Sequence, residues 1–173
     1  MTSTSSEDVR ILGGLGSADG FGTLRMEERF DTDVADVWSA LTDPGRLSRW
    51  YGDIKGELRA GGTYSGRLHA SGWEGTGHVE ECEPPRRFKV VSKDPDEPNR
   101  HSTEVTLTGD GARTVLVVEQ RGLPLELLWA YGAGLQIHVE DLAAHIAGRE
   151  RCDAAARFDE LQGPYKDLAS AVG

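Results

Sequence analysis

Residues 113–148 read RTVLVVEQRGLPLELLWAYGAGLQIHVEDLAAHIAG, and the pattern changes period within them. Residues 113–121 are strand-like. After Pro124, Leu128, Tyr131, Leu135, Val139, Leu142 and Ile146 recur at steps of three, four or seven, while Gln136, Glu140 and Asp141 fall largely elsewhere. That is the spacing of a long amphipathic helix, closed by Gly148. The pair Gly132 and Gly134 weakens its first turns and puts its start near Ala133.

Working outward, the chain before this helix is strand-like from about residue 54, with strands expected at 54–60, 63–70, 73–83, 86–93, 102–109 and 113–121. The breaks AGG, SG, PP, DPDEPN and GDG between them are turn signals. Connections this short join antiparallel neighbours, because a parallel crossover needs about a dozen residues or more. Further upstream, Leu24, Met26, Glu28 and Phe30 alternate with Arg25, Glu27 and Arg29, the period of a half-buried strand. Glu28 is the misfit on its apolar side. Between that strand and the next, Thr32 or Asp33 caps a short helix carrying Val34, Val37, Trp38 and Leu41, and Pro44 stops it and opens a second that ends at Gly52.

The sum is an α+β domain: a curved seven-stranded antiparallel sheet wrapped around a long C-terminal helix, with two short helices between the first and second strands. A sheet with one apolar face needs a cover, and only the last helix is long enough. A curved sheet and one helix cannot close completely, so a cavity is expected between them, sealed at one end by the tryptophan-bearing helices.

Residues 1–20, ending GGLGSADG, carry little to bury and are expected to form a flexible tail. The domain proper spans 21–148. Residues 149–173 offer Asp153 as a cap and Phe158, Leu161, Tyr165 and Leu168 as a stripe, so one or two helical turns should pack back on the domain.

Bulk properties narrow the function. The 173 residues carry 19 basic against 29 acidic side chains, a net charge of −10, which argues against nucleic acid or an anionic membrane as partner. Cys82 and Cys152 lack a C-x-x-C pairing and suit a reducing compartment. No secretory signal stands at the start, and the most apolar window, LPLELLWAYGAGL, is far short of the ~18 residues that span a bilayer. A cytoplasmic protein, a monomer or weak homodimer, is the expectation. Arginine outnumbers lysine 15 to 4, a bias that fits GC-rich genomes such as those of actinobacteria.

The segments VWSALTDPGRLSRWYG, RAGGTY, GHVEECEPPRRF, STEVTLTGDGARTVLVVEQ and GLQIHVEDLAAHIAG, in that order, resemble the START-like SRPBCC superfamily, in the branch named after the activator of the Hsp90 ATPase. The similarity runs from about Leu24 to Gly148, and residues 148–169 resemble an extension common in actinobacterial members. The resemblance implies a helix-grip fold. It also implies a cavity, since members hold sterols, lipids, plant hormones or polyketides between helix and sheet, and some act as cyclases, aromatases or resistance proteins that sequester an antibiotic. Many relatives place a tryptophan where this chain has Leu135, which leaves more room along the helix.

The chemistry is read from single positions, because no phosphate loop, G-x-S-x-G elbow, H-E-x-x-H helix or nucleophilic cysteine motif is present. No cofactor is expected. His138 and His145, seven residues apart, lie about 10 Å apart along a helix axis, too far to share one ion; His138 with Asp141 is the conceivable pair, and no metal site is assigned. Glu28, Glu81, His78 and His138 are the acid–base candidates. Glu81 shares its parity with Trp73, Gly75, Gly77 and Val79, so it is expected to point the same way as Glu28; two carboxylates facing an apolar cavity would have raised pKa values. The alternative is a buried acid satisfied by an arginine or a backbone amide.

Aromatics carry the clearer signal. Trp50, Tyr51, Tyr64, Trp73, Trp129 and Tyr131 fall at turns and helix ends that would rim the cavity, with Leu68, Val79, Leu135, His138 and Leu142 completing a lining for a rigid ring-bearing ligand. Trp38 is read as core packing and Trp50 as facing the cavity. The expected function is binding or sequestration of a hydrophobic, aromatic or polyketide-like molecule. The alternatives are a cyclase- or aromatase-type enzyme on such a metabolite and a protein-interaction module such as a chaperone partner.

Overall fold

The computed structural model describes residues 10–93 and 100–172. Residues 1–9 of the expected tail and the DPDEPN turn at 94–99 lie outside the described residues. Strand β1 (Gly13–Ala18) leads into β2 (Phe21–Phe30), then helices α1 (Val34–Thr42) and α2 (Pro44–Trp50). Six strands follow: β3 (Gly52–Gly56), β4 (Thr63–Leu68), β5 (Glu74–Glu83), β6 (Arg87–Lys93), β7 (Arg100–Asp110) and β8 (Arg113–Leu123). A 3-10 turn (Leu125–Leu127) opens into α3 (Leu128–Ile146), and α4 (Ala154–Ser170) ends the fold. The strands form one antiparallel sheet in the order β1-β2-β8-β7-β6-β5-β4-β3, and residues from β3 to β8 share one cavity with α3.

The sheet has eight strands rather than seven, and the extra one comes from the stretch expected to be flexible. β1 is poor in side chains, yet it pairs along β2 from Gly13 opposite Met26 to Ala18 opposite Phe21. Its register is set by Asp19 and Gly20, at φ 54° and 83°, the left-handed pair of a two-residue hairpin whose twist matches that of the strands. Local turn chemistry outweighs the low hydrophobicity of the segment.

The two short helices, nine and seven residues, would be marginal in isolation. Asp33 caps the first by accepting from the Asp36 amide (2.8 Å), and Asp43 caps the second by accepting from the Gly45 amide (2.9 Å), with Pro44 in the first turn. Val37, Ala40, Leu47 and Trp50 are buried between them and the rest of the core. The Trp50 indole donates to the Ala40 carbonyl (2.9 Å) and so locks one helix to the other.

Helix α3 begins at Leu128, five residues before the position that its glycines suggest. Gly132 is not a weak point but a seat: a Cβ there would lie 2.6 Å from the ring of Tyr165, which is fully buried. Packing overrides propensity at this turn. The helix is also buried on its second side, where a solvated face was expected, and Gln136 and Asp141 are each only 1% exposed. Gln136 accepts from the Leu12 amide (3.1 Å) and the Tyr165 hydroxyl (2.6 Å) and donates to the Arg10 carbonyl (2.6 Å). Asp141 accepts from the Cys152 amide (2.9 Å), and burial pushes its carboxyl above the ordinary range.

What covers this side is α4, a helix of 17 residues rather than one or two turns. It is capped by Asp153, buries Leu161 and Tyr165, and is tied to α3 by Arg157, which donates to Glu140 (2.7 Å). None of the helices among the described residues is long and apolar enough to cross a membrane.

Candidate functional site

The concave face of the sheet and α3 enclose a cavity of about 420 Å³, within the range of small-molecule sites. Its wall follows from strand parity. Phe88, Val90 and Ser92 on β6, His101, Thr103 and Val105 on β7, and Leu116, Val118 and Gln120 on β8 alternate inward. From the helix come Tyr131, Leu135, His138 and Leu142, at helical spacing. The two tryptophan-bearing helices close one end with Leu41, Leu47 and Trp50.

Of the residues expected to form a lining, Trp50, Tyr51, Tyr64, Leu68, Trp73, Val79, Tyr131, Leu135, His138 and Leu142 all border this cavity. Trp129 does not. It lies on the opposite side of α3, with its ring 5.9 Å from that of Phe158 on α4 and the Lys166 ammonium 4.5 Å from its centroid. Residues two apart on a helix diverge by about 200°, so Trp129 and Tyr131 cannot share a face. Trp38 packs edge-on against Phe88 at 5.7 Å. Trp50 does both jobs: it is 5% exposed and fixed to Ala40, and it presents its remaining surface to the cavity.

The acid–base candidates are not brought together. Glu28 is on the inward face of β2, but Arg10 covers it with two hydrogen bonds (3.1 and 3.2 Å), and the Arg29 amide donates to it as well (2.9 Å). It is a half-buried acid satisfied by an arginine and an amide, outside the cavity. Glu81 is turned outward by a β-bulge: Val79 pairs with Val90, but Glu81 pairs with Lys89, so β5 carries one extra residue and its parity inverts. Glu81 therefore binds Arg87 on the outer face, and Cys82, opposite Phe88, takes the inward place. His78 is exposed on the outer face, opposite Thr63 and Val91. His138 and Asp141 also diverge, one toward the cavity and the other toward Cys152. Among the described residues no three His, Cys, Asp or Glu side chains converge as a metal site requires.

Two glycines shape the floor. On β5 the ring of Tyr64 lies where a Gly77 Cβ would be, and the ring of Trp73 where a Gly75 Cβ would be, each 2.2 Å from that position. Any side chain at either position would lift an aromatic ring off the sheet. Lying flat, Tyr64 reaches Ser92 two strands away and hydrogen-bonds to it.

The lining has a polar end and an apolar end. Tyr64, Gly77, Ser92 and His101 follow one another across β4 to β7, and the adjacent row holds Val90, Thr103 and Gln120. Toward the short helices the corresponding positions are Phe88, Val105, Leu116 and Val118. His101 packs edge-on against Tyr131 (5.5 Å), and Gln120 donates to the Thr103 hydroxyl (3.1 Å). On the helix side, His138 lies edge-on to Tyr51 at 4.9 Å. Burial pushes the His138 imidazolium down to a pKa of about 4, so the ring is neutral at ordinary pH, and burial raises the Tyr51 and Tyr64 phenols. His138 Nδ1 and Gln120 Oε1 are buried without a hydrogen-bond partner among the described residues. The polar members His101, Thr103, Gln120, Ser92 and Cys82 stand in strands that are unremarkable as motifs; only the pairing of neighbouring strands assembles them.

This fold has close counterparts among solved structures. CalU16 from Micromonospora echinospora superposes with a TM-score of 0.75 at 27% identity, over 91% of this chain and 96% of that one. DynU16, from the dynemicin biosynthetic locus, gives 0.69 at 25% identity, over 76% of this chain and 50% of that one. The Hsp90 activator PFC0360w from Plasmodium falciparum gives 0.61 at 18% identity, over 73% and 96%; at that identity the likeness concerns the fold alone. No curated protein matches in sequence. Residues 31–147, from the end of β2 through α3, match the sequence model of the Activator of Hsp90 ATPase homolog 1-like proteins, and with its START-like helix-grip fold the chain belongs to that family.

Proposed function

We propose that the protein binds and sequesters a hydrophobic small molecule, aromatic or polyketide-like in shape, between the sheet and α3. The observation that carries this reading is the cavity of about 420 Å³ lined by Trp50, Tyr51, Tyr64, Trp73 and Tyr131. Flat aromatic walls with polar edges suit a rigid ring system, which gains burial without losing much conformational freedom. The likeness to DynU16, a protein of a biosynthetic locus, favours a natural-product ligand. Binding is favoured over acid–base turnover because Glu28 and Glu81 are engaged by arginines outside the cavity.

The test is a titration of intrinsic tryptophan fluorescence with flat aromatic polyketides, sterols and fatty acids, with Trp50→Phe as control. Saturable quenching by the ring compounds, weakened in the control, is the expected result. No response from any class, with the circular dichroism of the folded protein unchanged, would remove the proposal and turn attention to a protein partner.

A further inference from the structure

Among the described residues that line the cavity wall there is no Lys, Arg, Asp or Glu. An ion buried in such a place has neither a counter-charge nor water, and pays a penalty of several kcal/mol. The wall is nevertheless far from uniformly apolar: the sheet contributes Tyr64, Ser92 and His101 in one row and Thr103 and Gln120 in the next, at the end toward the start of α3, while Tyr51, Tyr131 and His138 add polar atoms from the facing side. The opposite end, formed by Phe88, Val105, Leu116, Val118, Leu47 and Trp50, is mostly carbon: the Trp50 indole N–H is bound to the Ala40 carbonyl and the Thr42 hydroxyl to the Trp38 carbonyl, and Cys82 adds a thiol.

Gln120 fixes the sense of this polarity. Its amide nitrogen is used by Thr103, and its oxygen is left buried without a donor among the described residues. An orphaned amide oxygen costs about as much as a lost hydrogen bond, and the last torsion of a glutamine is broad enough to turn that oxygen toward an incoming group. The group that satisfies it is a hydrogen-bond donor, such as a phenolic hydroxyl.

We infer that the ligand is an electrically neutral hydroxylated polycyclic molecule, seated with its apolar rings toward α1 and α2 and its hydroxyl donating to Gln120. This rests on the cavity-binding proposal above and narrows it from a shape to a charge, a polarity and an orientation. Free fatty acids and aromatic carboxylates are excluded from the deep part of the cavity, as are ammonium-bearing rings.

Four pyrenes separate the possibilities, with binding followed by pyrene emission and by tryptophan quenching at neutral pH: 1-hydroxypyrene, 1-methoxypyrene, 1-pyrenecarboxylate and 1-pyrenemethylamine. The hydroxyl compound is expected to bind about tenfold more tightly than its methyl ether, the equivalent of one satisfied acceptor, and at least about a hundredfold more tightly than either charged compound. In Gln120→Leu the preference for hydroxyl over methoxyl should fall to within about twofold. Equal binding of hydroxyl and methoxyl compounds by the unaltered protein overturns the inference and leaves the cavity-binding proposal standing, and needs no variant to fold. Tight binding of a charged pyrene likewise overturns it, as does a hydroxyl preference that survives Gln120→Leu. Failure of all four to bind removes both readings.

Discussion

Gln136 sits where the N-terminal segment, α3 and α4 meet, and replacing it with leucine measures what that junction is worth. Leucine has a similar volume, so the change opens no cavity and acts through hydrogen bonds. It removes the acceptor of both the Leu12 amide and the Tyr165 hydroxyl, the latter in a fully buried side chain. At about 1–3 kcal/mol for each buried group left unsatisfied, a loss of about 3 kcal/mol is expected, a large part of the ~5–15 kcal/mol that holds an ordinary domain together. Tyr165→Phe alone takes the acceptor from the Gly13 amide (3.0 Å) and should cost about 1.5 kcal/mol. The double variant no longer contains the stranded hydroxyl, so its loss should fall short of the sum by about 1 kcal/mol or more. Urea unfolding followed by far-ultraviolet circular dichroism gives all three values, provided the m-value is unchanged. A loss below about 1 kcal/mol for Gln136→Leu, or additivity within ~0.5 kcal/mol, would refute the account of the junction.

Three further outcomes are expected. His138 is held neutral by burial, with its pKa lowered from 6.5 to about 4; the unfolded chain therefore takes up a proton that the folded one refuses, and stability falls as pH drops from about 6.5 to about 4. At about 1.4 kcal/mol per pKa unit this amounts to about 3 kcal/mol, so His138→Leu should unfold with a shallower pH dependence in that window, and parallel curves for the two proteins would sink the idea. Gly77→Ala places a Cβ 2.2 Å from the Tyr64 ring and should lower stability by about 1–3 kcal/mol while weakening 1-hydroxypyrene binding; Gly14→Ala, whose nearest neighbour would be 3.9 Å away, is the control and should change little. In a Cys152→Ser background, Cys82 should react with a small thiol reagent several-fold more slowly once a saturating aromatic ligand is present, because its side chain borders the cavity; an unchanged rate, measured by mass spectrometry, would place the ligand elsewhere.

The architecture was legible because it rests on period. The strands from β2 to β8 and the two capped helices lie within a few residues of the expectation, since alternation, proline stops and aspartate caps are local signals. What the sequence hid was set by contacts between distant residues. The composition of residues 13–18 reads as a tail, yet the Asp19–Gly20 pair was a hairpin signal in plain sight, and β2 supplied the edge. Gln136 and Asp141 look like a solvated helix face until α4 covers them. Glu81 looks inward by parity until one extra residue in β5 reverses it, and no single-strand pattern reveals a bulge that exists only relative to β6. Trp129 needs no tertiary contact to be placed, because helical geometry alone separates it from Tyr131. The polar half of the cavity was illegible for a simpler reason: Ser92, His101, Thr103 and Gln120 become neighbours only when three strands pair.

The added strand β1 bears on how the protein behaves in a crowded solution. Without it, β2 would be the margin of the sheet, a ten-residue strand carrying Leu24, Met26 and Phe30 and offering a full row of unpaired amides and carbonyls to a second molecule. Such an edge is a template for intermolecular pairing. β1 occupies that row and substitutes a margin of six residues, three of them glycine, with little side chain for a foreign strand to zip against. The far margin, β3, is only five residues long. Both borders of the sheet are thus too short and too bare to recruit another strand, a guard against aggregation for a protein whose interior is kept partly open.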